Sequence, residues 1–134
     1  MSNEGDVKHA IRVALGKLGW VSIYNNPVGV GFTKDGDRIT YGLSVGSPDL
    51  VGFIRGSGKF LGIEVKTTSG RASDDQKKWL KYASESGCVV GICRSPEEAL
   101  ALVAPHAPPG CSVPVHDPGV RTPARKPSTP RVRK

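Results

Sequence analysis

Gly46-Ser47-Pro48-Asp49-Leu50, an apolar run to Ile54, a Gly-rich turn, and then Phe60-Leu61-Gly62-Ile63-Glu64-Val65-Lys66 decide how this chain is read. Leu50 to Ile54 and Phe60 to Lys66 have the composition of strands, and Arg55-Gly56-Ser57-Gly58-Lys59 is short enough to join them antiparallel. Asp49, at the start of the first strand, then lies near Glu64 and Lys66 toward the end of the second. Alternate residues of a strand share a face, so Glu64 and Lys66 point one way and Val65 the other. Two hard oxygen donors beside an ammonium suit a divalent cation with a charge partner for a phosphate.

Upstream, Val7, Ala10, Ile11, Ala14, Leu15 and Leu18 recur at helical spacing, with Lys8, Arg12 and Lys17 on other faces; Gly19 ends the helix. Trp20 to Asn25 reads as a strand and Asn25-Asn26-Pro27-Val28-Gly29 as a turn. Gly31 to Leu43 alternates loosely around Asp35-Gly36-Asp37, the pattern of a hairpin or a mobile loop with polar tips. Downstream, Ser73-Asp74-Asp75-Gln76 is a capping box that opens a helix to about Glu85. Cys88 to Cys93 predicts a short strand buried on both faces. Ser95-Pro96-Glu97-Glu98 is a second capping box, with Pro at the first helical position, for a helix through Val103. The order predicts an α/β fold, a mixed β-sheet flanked by helices.

Composition limits the folded unit to one domain. The chain has 134 residues, and eight of its eleven prolines lie from Pro105 to Pro130. Residues 1–103 are expected to form the domain and residues 104–134 a disordered Pro-rich tail. Arg121, Arg125, Lys126, Arg131, Arg133 and Lys134 against Asp117 give that tail +5 of the net +7. A cationic arm is attracted to a polyanion through counterion release, and a solubilising arm has the same composition. Three cysteines without a CxxC pair do not make a disulfide framework or a zinc site. The start lacks a basic, apolar leader, and no run is long and apolar enough for a bilayer, so a soluble cytoplasmic protein of a reducing interior is expected.

Taken together, Glu4 on the first helix, Gly46-Ser47-Pro48-Asp49-Leu50, Glu64-Val65-Lys66 and Ser73-Asp74-Asp75-Gln76 resemble the virus-type replication-repair nuclease (VRR-NUC) family, within the PD-(D/E)xK nuclease fold group. The resemblance spans roughly Glu4 to Val103. It implies a metal-dependent endodeoxyribonuclease in which Asp49, Glu64 and the Val65 carbonyl hold Mg²⁺ or Mn²⁺, leaving room for water and a phosphate oxygen. Lys66 would orient or help deprotonate the attacking water, and Gln76 would hydrogen-bond near Lys66 or that water. Glu4 would bind a second metal or accept from the outer shell. Lys77, Lys78 and Lys81, Asn25 and Asn26, and Arg125 and Lys126 of the tail are the candidate DNA contacts.

Stand-alone members of this size imply a phage or prophage protein, a homodimer, and branched DNA such as four-way junctions or flaps. Each residue also has a structural reading: Glu64 and Lys66 as an ion pair on a wet edge strand, Gln76 as a cap, Glu4 as a helix-dipole partner, Asn25 and Asn26 as turn residues. The alternatives are a nicking or restriction-type nuclease on linear duplex and a non-catalytic DNA-binding protein. Where the family often carries a basic residue before its Gly-x-Pro-Asp motif, this chain has Val45, which leaves a backbone contact to be supplied elsewhere, by Arg38, Lys34 or the tail.

Overall fold

A computed structural model describes residues 3–114. Helix α1 (Glu4–Gly16) begins at Asn3, whose side chain accepts from the Asp6 N–H at 2.8 Å while Asp6 accepts from the Asn3 N–H. Its buried stripe is Val7, Ile11 and Leu15, four residues apart as the periodicity requires. Strands β1 (Val21–Asn25), β4 (Leu50–Ile54), β5 (Phe60–Val65) and β6 (Val89–Cys93) form one sheet in the order β1-β4-β5-β6. β4 pairs antiparallel with β1 and β5, and β5 pairs parallel with β6. The parallel pair needs a crossover, which helix α2 (Asp74–Glu85) supplies. Helix α3 (Pro96–Val103) follows β6. The expected mixed sheet flanked by helices is therefore what forms.

Side-chain alternation along β5 assigns the two layers. Leu61, Ile63 and Val65 are fully buried in a core with Val7, Ile11 and Leu15 of α1 and Ala99 and Val103 of α3. Phe60 and Glu64 face the other way, toward α2: the Phe60 and Trp79 rings lie 6.0 Å apart, and Gln76 reaches Glu64. Gly52 of β4 is required where β1 pairs closely with it, because a Cβ there would sit 1.7 Å from the Ser22 carbonyl oxygen.

Two elements depart from expectation, β6 and the cap of α3, and a third settles between two readings. β6 is an edge strand with Val90, Gly91 and Ile92 only half-buried, because among the described residues β5 flanks it on one side and no strand flanks it on the other. The segment read as hairpin or loop is a hairpin, β2 (Gly29–Phe32) and β3 (Arg38–Tyr41), which forms a two-stranded sheet of its own. At α3, Ser95 caps the Glu98 N–H as expected, but the Glu98 carboxylate accepts from the Arg94 N–H, one residue before the cap. The chain also continues past the expected limit at 103 through a 3₁₀ turn (Ala104–His106), with Ala107 and Val113 packed against the core. Residues 115–134 of the expected tail, with Arg125 and Lys126, lie outside the described residues.

Candidate active site

The Asp49 loop is built around one buried amide. Asn26 Nδ2 donates to Ser47 Oγ at 2.9 Å and to the Pro48 carbonyl at 2.8 Å, while Asn26 Oδ1 accepts from the Leu43 N–H at 3.1 Å. The Asn26 N–H donates to the Asp49 carbonyl. Its side chain is thus fully engaged and only 8% of the residue is exposed. Asn26, expected as a DNA contact, is instead the bracket that ties the hairpin's exit to the Ser47-Pro48-Asp49 loop. Asn25 beside it is exposed. Gly46 adopts φ +89°, and a Cβ there would meet the Asp75 carbonyl oxygen at 2.6 Å, so the loop lies directly on the first turn of α2.

The β4–β5 register pairs Leu50 with Ile63, and one step further sets Asp49 opposite Glu64. Asp49 Oδ2 accepts from the Val65 N–H at 3.0 Å, which fixes the carboxylate at the strand end. Val65 thus enters the site through its donor. Glu64 is 1% exposed on an interior strand, so the reading of Glu64 and Lys66 as a solvated pair on an edge strand is overturned by strand order. Glu64 Oε2 accepts from Gln76 Nε2 at 2.8 Å and faces Lys66 Nζ at 3.3 Å. Its other oxygen, Oε1, is buried with no hydrogen-bond partner among the described residues.

Gln76 is the cap it was read as, and its amide also reaches Glu64. Its Oε1 accepts from the Ser73 N–H at 2.8 Å, closing the capping box, and the same amide's Nε2 donates to Glu64. The cap therefore aims the donor. Glu4 comes to the same place from α1: carboxylate oxygens of Glu4, Asp49 and Glu64 all lie within 4.8 Å of one another. Burial above all, and then the Asp49 charge, push the Glu64 carboxyl up to about 7 against the opposing pull of Lys66. An orphaned buried carboxylate oxygen beside two further carboxylates is a donor set for a hard divalent cation. That is the fit expected if Glu4, Asp49 and Glu64 together hold Mg²⁺ or Mn²⁺.

Lys66 is held from behind. Its N–H donates to the Cys93 carbonyl, and Gly70 lies against its stem, where a Cβ would be 3.4 Å from Lys66 Cδ. Arg94 Nη1 donates to the carbonyls of both Thr67 and Gly70, clamping the turn that follows Lys66. Neither Arg94 nor Lys8 was singled out by sequence. Lys8 lies one helical turn after Glu4 and, with Asp49 and Gln76, lines a cleft of ≈ 830 Å³ whose other wall is the hairpin. The i, i+4 spacing from Glu4 was the available signal. Lys77, Lys78 and Lys81 are exposed on α2.

Residues 36–97 match the VRR-NUC domain family, a span that holds Asp49, Glu64, Lys66 and Gln76 and leaves out Glu4. No curated protein matches the chain. Among the described residues no helix is long and apolar enough to cross a membrane. A VRR-NUC domain is a nuclease domain, and its substrate class is DNA.

Proposed function

Since the chain carries a VRR-NUC domain at residues 36–97, we propose that it is a metal-dependent endodeoxyribonuclease, selective for branched DNA such as four-way junctions or flaps. The observation that carries the metal-dependent reading is Glu64: fully buried, with one oxygen unpartnered, beside Asp49, Glu4 and Lys66. A protein that only bound DNA would keep a destabilising buried carboxylate without using it.

Phosphodiester hydrolysis needs a water made nucleophilic near neutral pH and stabilisation of the extra charge on the phosphorus centre. Mg²⁺ or Mn²⁺, held by Asp49, Glu64 and Glu4 with the Val65 carbonyl, would supply Lewis acidity and lower the pKa of bound water. The chain's own groups do the rest. The Val65 N–H and the Asn26 bracket hold Asp49 at its strand end, so the carboxylate does not reorganise during reaction. Lys66 Nζ, beside Glu64, sets a positive charge where the scissile phosphate gains negative charge and donates a hydrogen bond to the attacking water. Gln76 keeps Glu64 Oε2 oriented through its capped amide.

Exposed Lys77, Lys78 and Lys81 suit the phosphate backbone. A two-fold homodimer would present two such sites to a symmetric junction, and sedimentation at equilibrium measures that state. The test of activity is cleavage of labelled four-way junction, flap, linear duplex and single-stranded DNA in Mg²⁺ or Mn²⁺. Junction or flap cleavage lost in Asp49→Ala and Lys66→Ala is the expected result. Binding without cleavage of any substrate would overturn the catalytic reading, and cleavage of linear duplex alone would favour the nicking or restriction type.

A further inference from the structure

The β2–β3 hairpin stands apart from the main sheet and exposes an unusual amount of apolar surface for its size. Val30 is 45% exposed, Phe32 69%, Ile39 49% and Tyr41 51%. A two-stranded hairpin with no third strand is marginal in water, so side chains of this kind on it call for a partner. Register divides them between two faces. Tyr41 pairs with Gly29 and Ile39 with Gly31 on one face, while Val30 pairs with Thr40 and Phe32 with Arg38 on the other.

Val30, Thr40 and Tyr41 of the hairpin all line the cleft, and Tyr41 is the aromatic one among them. Its ring lies over Gly29 so closely that a Cβ on Gly29 would fall 2.2 Å from the phenolic oxygen. One side of the ring is thereby packed on backbone, and the half-exposed ring lines the cleft that holds Asp49 and Gln76. Lys8 lines the same cleft from α1. Among the described residues the only ion pair is Lys66 with Glu64, so no carboxylate draws the Lys8 ammonium away.

An aromatic platform and an unpaired ammonium across a cleft from a carboxylate cluster have a common ligand: a nucleic-acid strand with its bases unstacked. A base inside a duplex has both faces covered by its neighbours and offers none to Tyr41. An unpaired base offers its π-face, and its phosphate reaches the cation. Resting on the nuclease reading, we propose that this cleft seats a single-stranded DNA segment bordering the scissile phosphate, with Tyr41 stacking on a base and Lys8 contacting a phosphate. The hairpin is then the element that distinguishes a substrate with an unpaired flank from a continuous duplex.

The test is binding, measured by anisotropy with the full chain in Ca²⁺. The probes are a labelled blunt duplex and the same duplex with a single-stranded extension of about ten nucleotides, within the span such grooves cover. The extended DNA is expected to bind about tenfold tighter, the range of one base stacked on one aromatic ring. Tyr41→Leu, which keeps an apolar side chain on the hairpin but lacks the flat ring, should remove most of that preference. Lys8→Ala should lower the salt dependence of binding to the extended DNA by about one phosphate contact. Phe32→Ser, on the opposite hairpin face, should leave the preference intact.

Equal affinity for the two probes, or a preference untouched by Tyr41→Leu and Lys8→Ala, would overturn the proposal. So would a dimer that Tyr41→Leu converts to monomer while DNA binding stays unchanged, because a second copy would then cover this face. Junction cleavage by the wild type, lost in Asp49→Ala, is read separately. It can fail with the flank preference intact, or hold with the preference absent.

Discussion

Burying the Glu64 carboxyl costs free energy whenever it is ionised, and that makes pH a direct probe of the site at the scale of one residue. Its ordinary value is 4.5 and the folded value is about 7, so between those limits the native state binds more protons than the unfolded chain. Stability of the metal-free protein should therefore fall as pH rises from 4.5 to 7, by up to about 3 kcal/mol, and change little from this group above that. Urea denaturation in a chelator at pH 5 and pH 8 measures it. Glu64→Gln should flatten the slope and be the more stable protein at pH 8, while losing cleavage. Mn²⁺ should raise the wild type's stability at pH 8 and leave Glu64→Gln much less affected, as binding to the folded state alone requires. Cys93 is a second buried group, its thiol pushed up to about 12 chiefly by burial. In the native protein it should resist thiol reagents that modify exposed Cys111, as a count of reactive thiols before and after unfolding would register.

At the scale of the element, the cap of α2 and the bracket before β4 each do structural and site work together, and substitution can separate the two. Gln76→Glu retains the Ser-x-x-Glu capping pattern but sets a carboxylate against Glu64, so helix content should hold while cleavage falls about 10- to 100-fold. Equal activity in that variant would remove Gln76 from the site. Asn26→Ala leaves the Pro48 carbonyl and the Leu43 N–H without their partner and should cost about 2 to 4 kcal/mol in denaturant midpoint analysis.

Most elements were legible because local signals agreed: Ser73 and Gln76 announced α2, and Val7, Ile11 and Leu15 announced α1. The approach of Asp49 to Glu64 followed from strand pairing, while the place of Glu4 beside them followed from the family resemblance, since nothing in local periodicity places α1 beside β5. What stayed hidden was long-range. Asn26 reads as a turn residue, because bonds to Pro48 and Leu43 across 22 and 17 positions leave no trace in local sequence. Arg94 likewise clamps a turn 24 residues away, and β6 becomes half-buried only through its place at the sheet edge.

For the whole molecule, the core does not stop where the last helix does. Proline content marks residue 104 as a boundary, yet Ala107 and Val113 pack against the core and Pro108 comes near Gly56 of the β4–β5 turn. A chain ended at residue 103 should therefore be less stable than one ended at residue 114 by about 1 to 3 kcal/mol for the apolar surface uncovered, and so melt at a lower temperature. Equal melting would place these residues outside the cooperative unit. The β4–β5 turn is at the opposite end of β4 from Asp49, so Pro108 packs on the side away from the carboxylates.

The amide of Asn26 joins two parts of the molecule that perform different tasks. One oxygen is tied to the loop leaving the hairpin, and one nitrogen to the peptide that carries Asp49. Hairpin and carboxylate are thus linked through a single rigid plane, with no intervening side chain to absorb movement. A displacement of the hairpin by whatever lies against it would be handed on to the Asp49 peptide like the motion of one arm of a balance to the other. Recognition at the rim and alignment at the centre would then be one mechanical event, and a substrate would set its own nucleolytic geometry by the way it loads the beam.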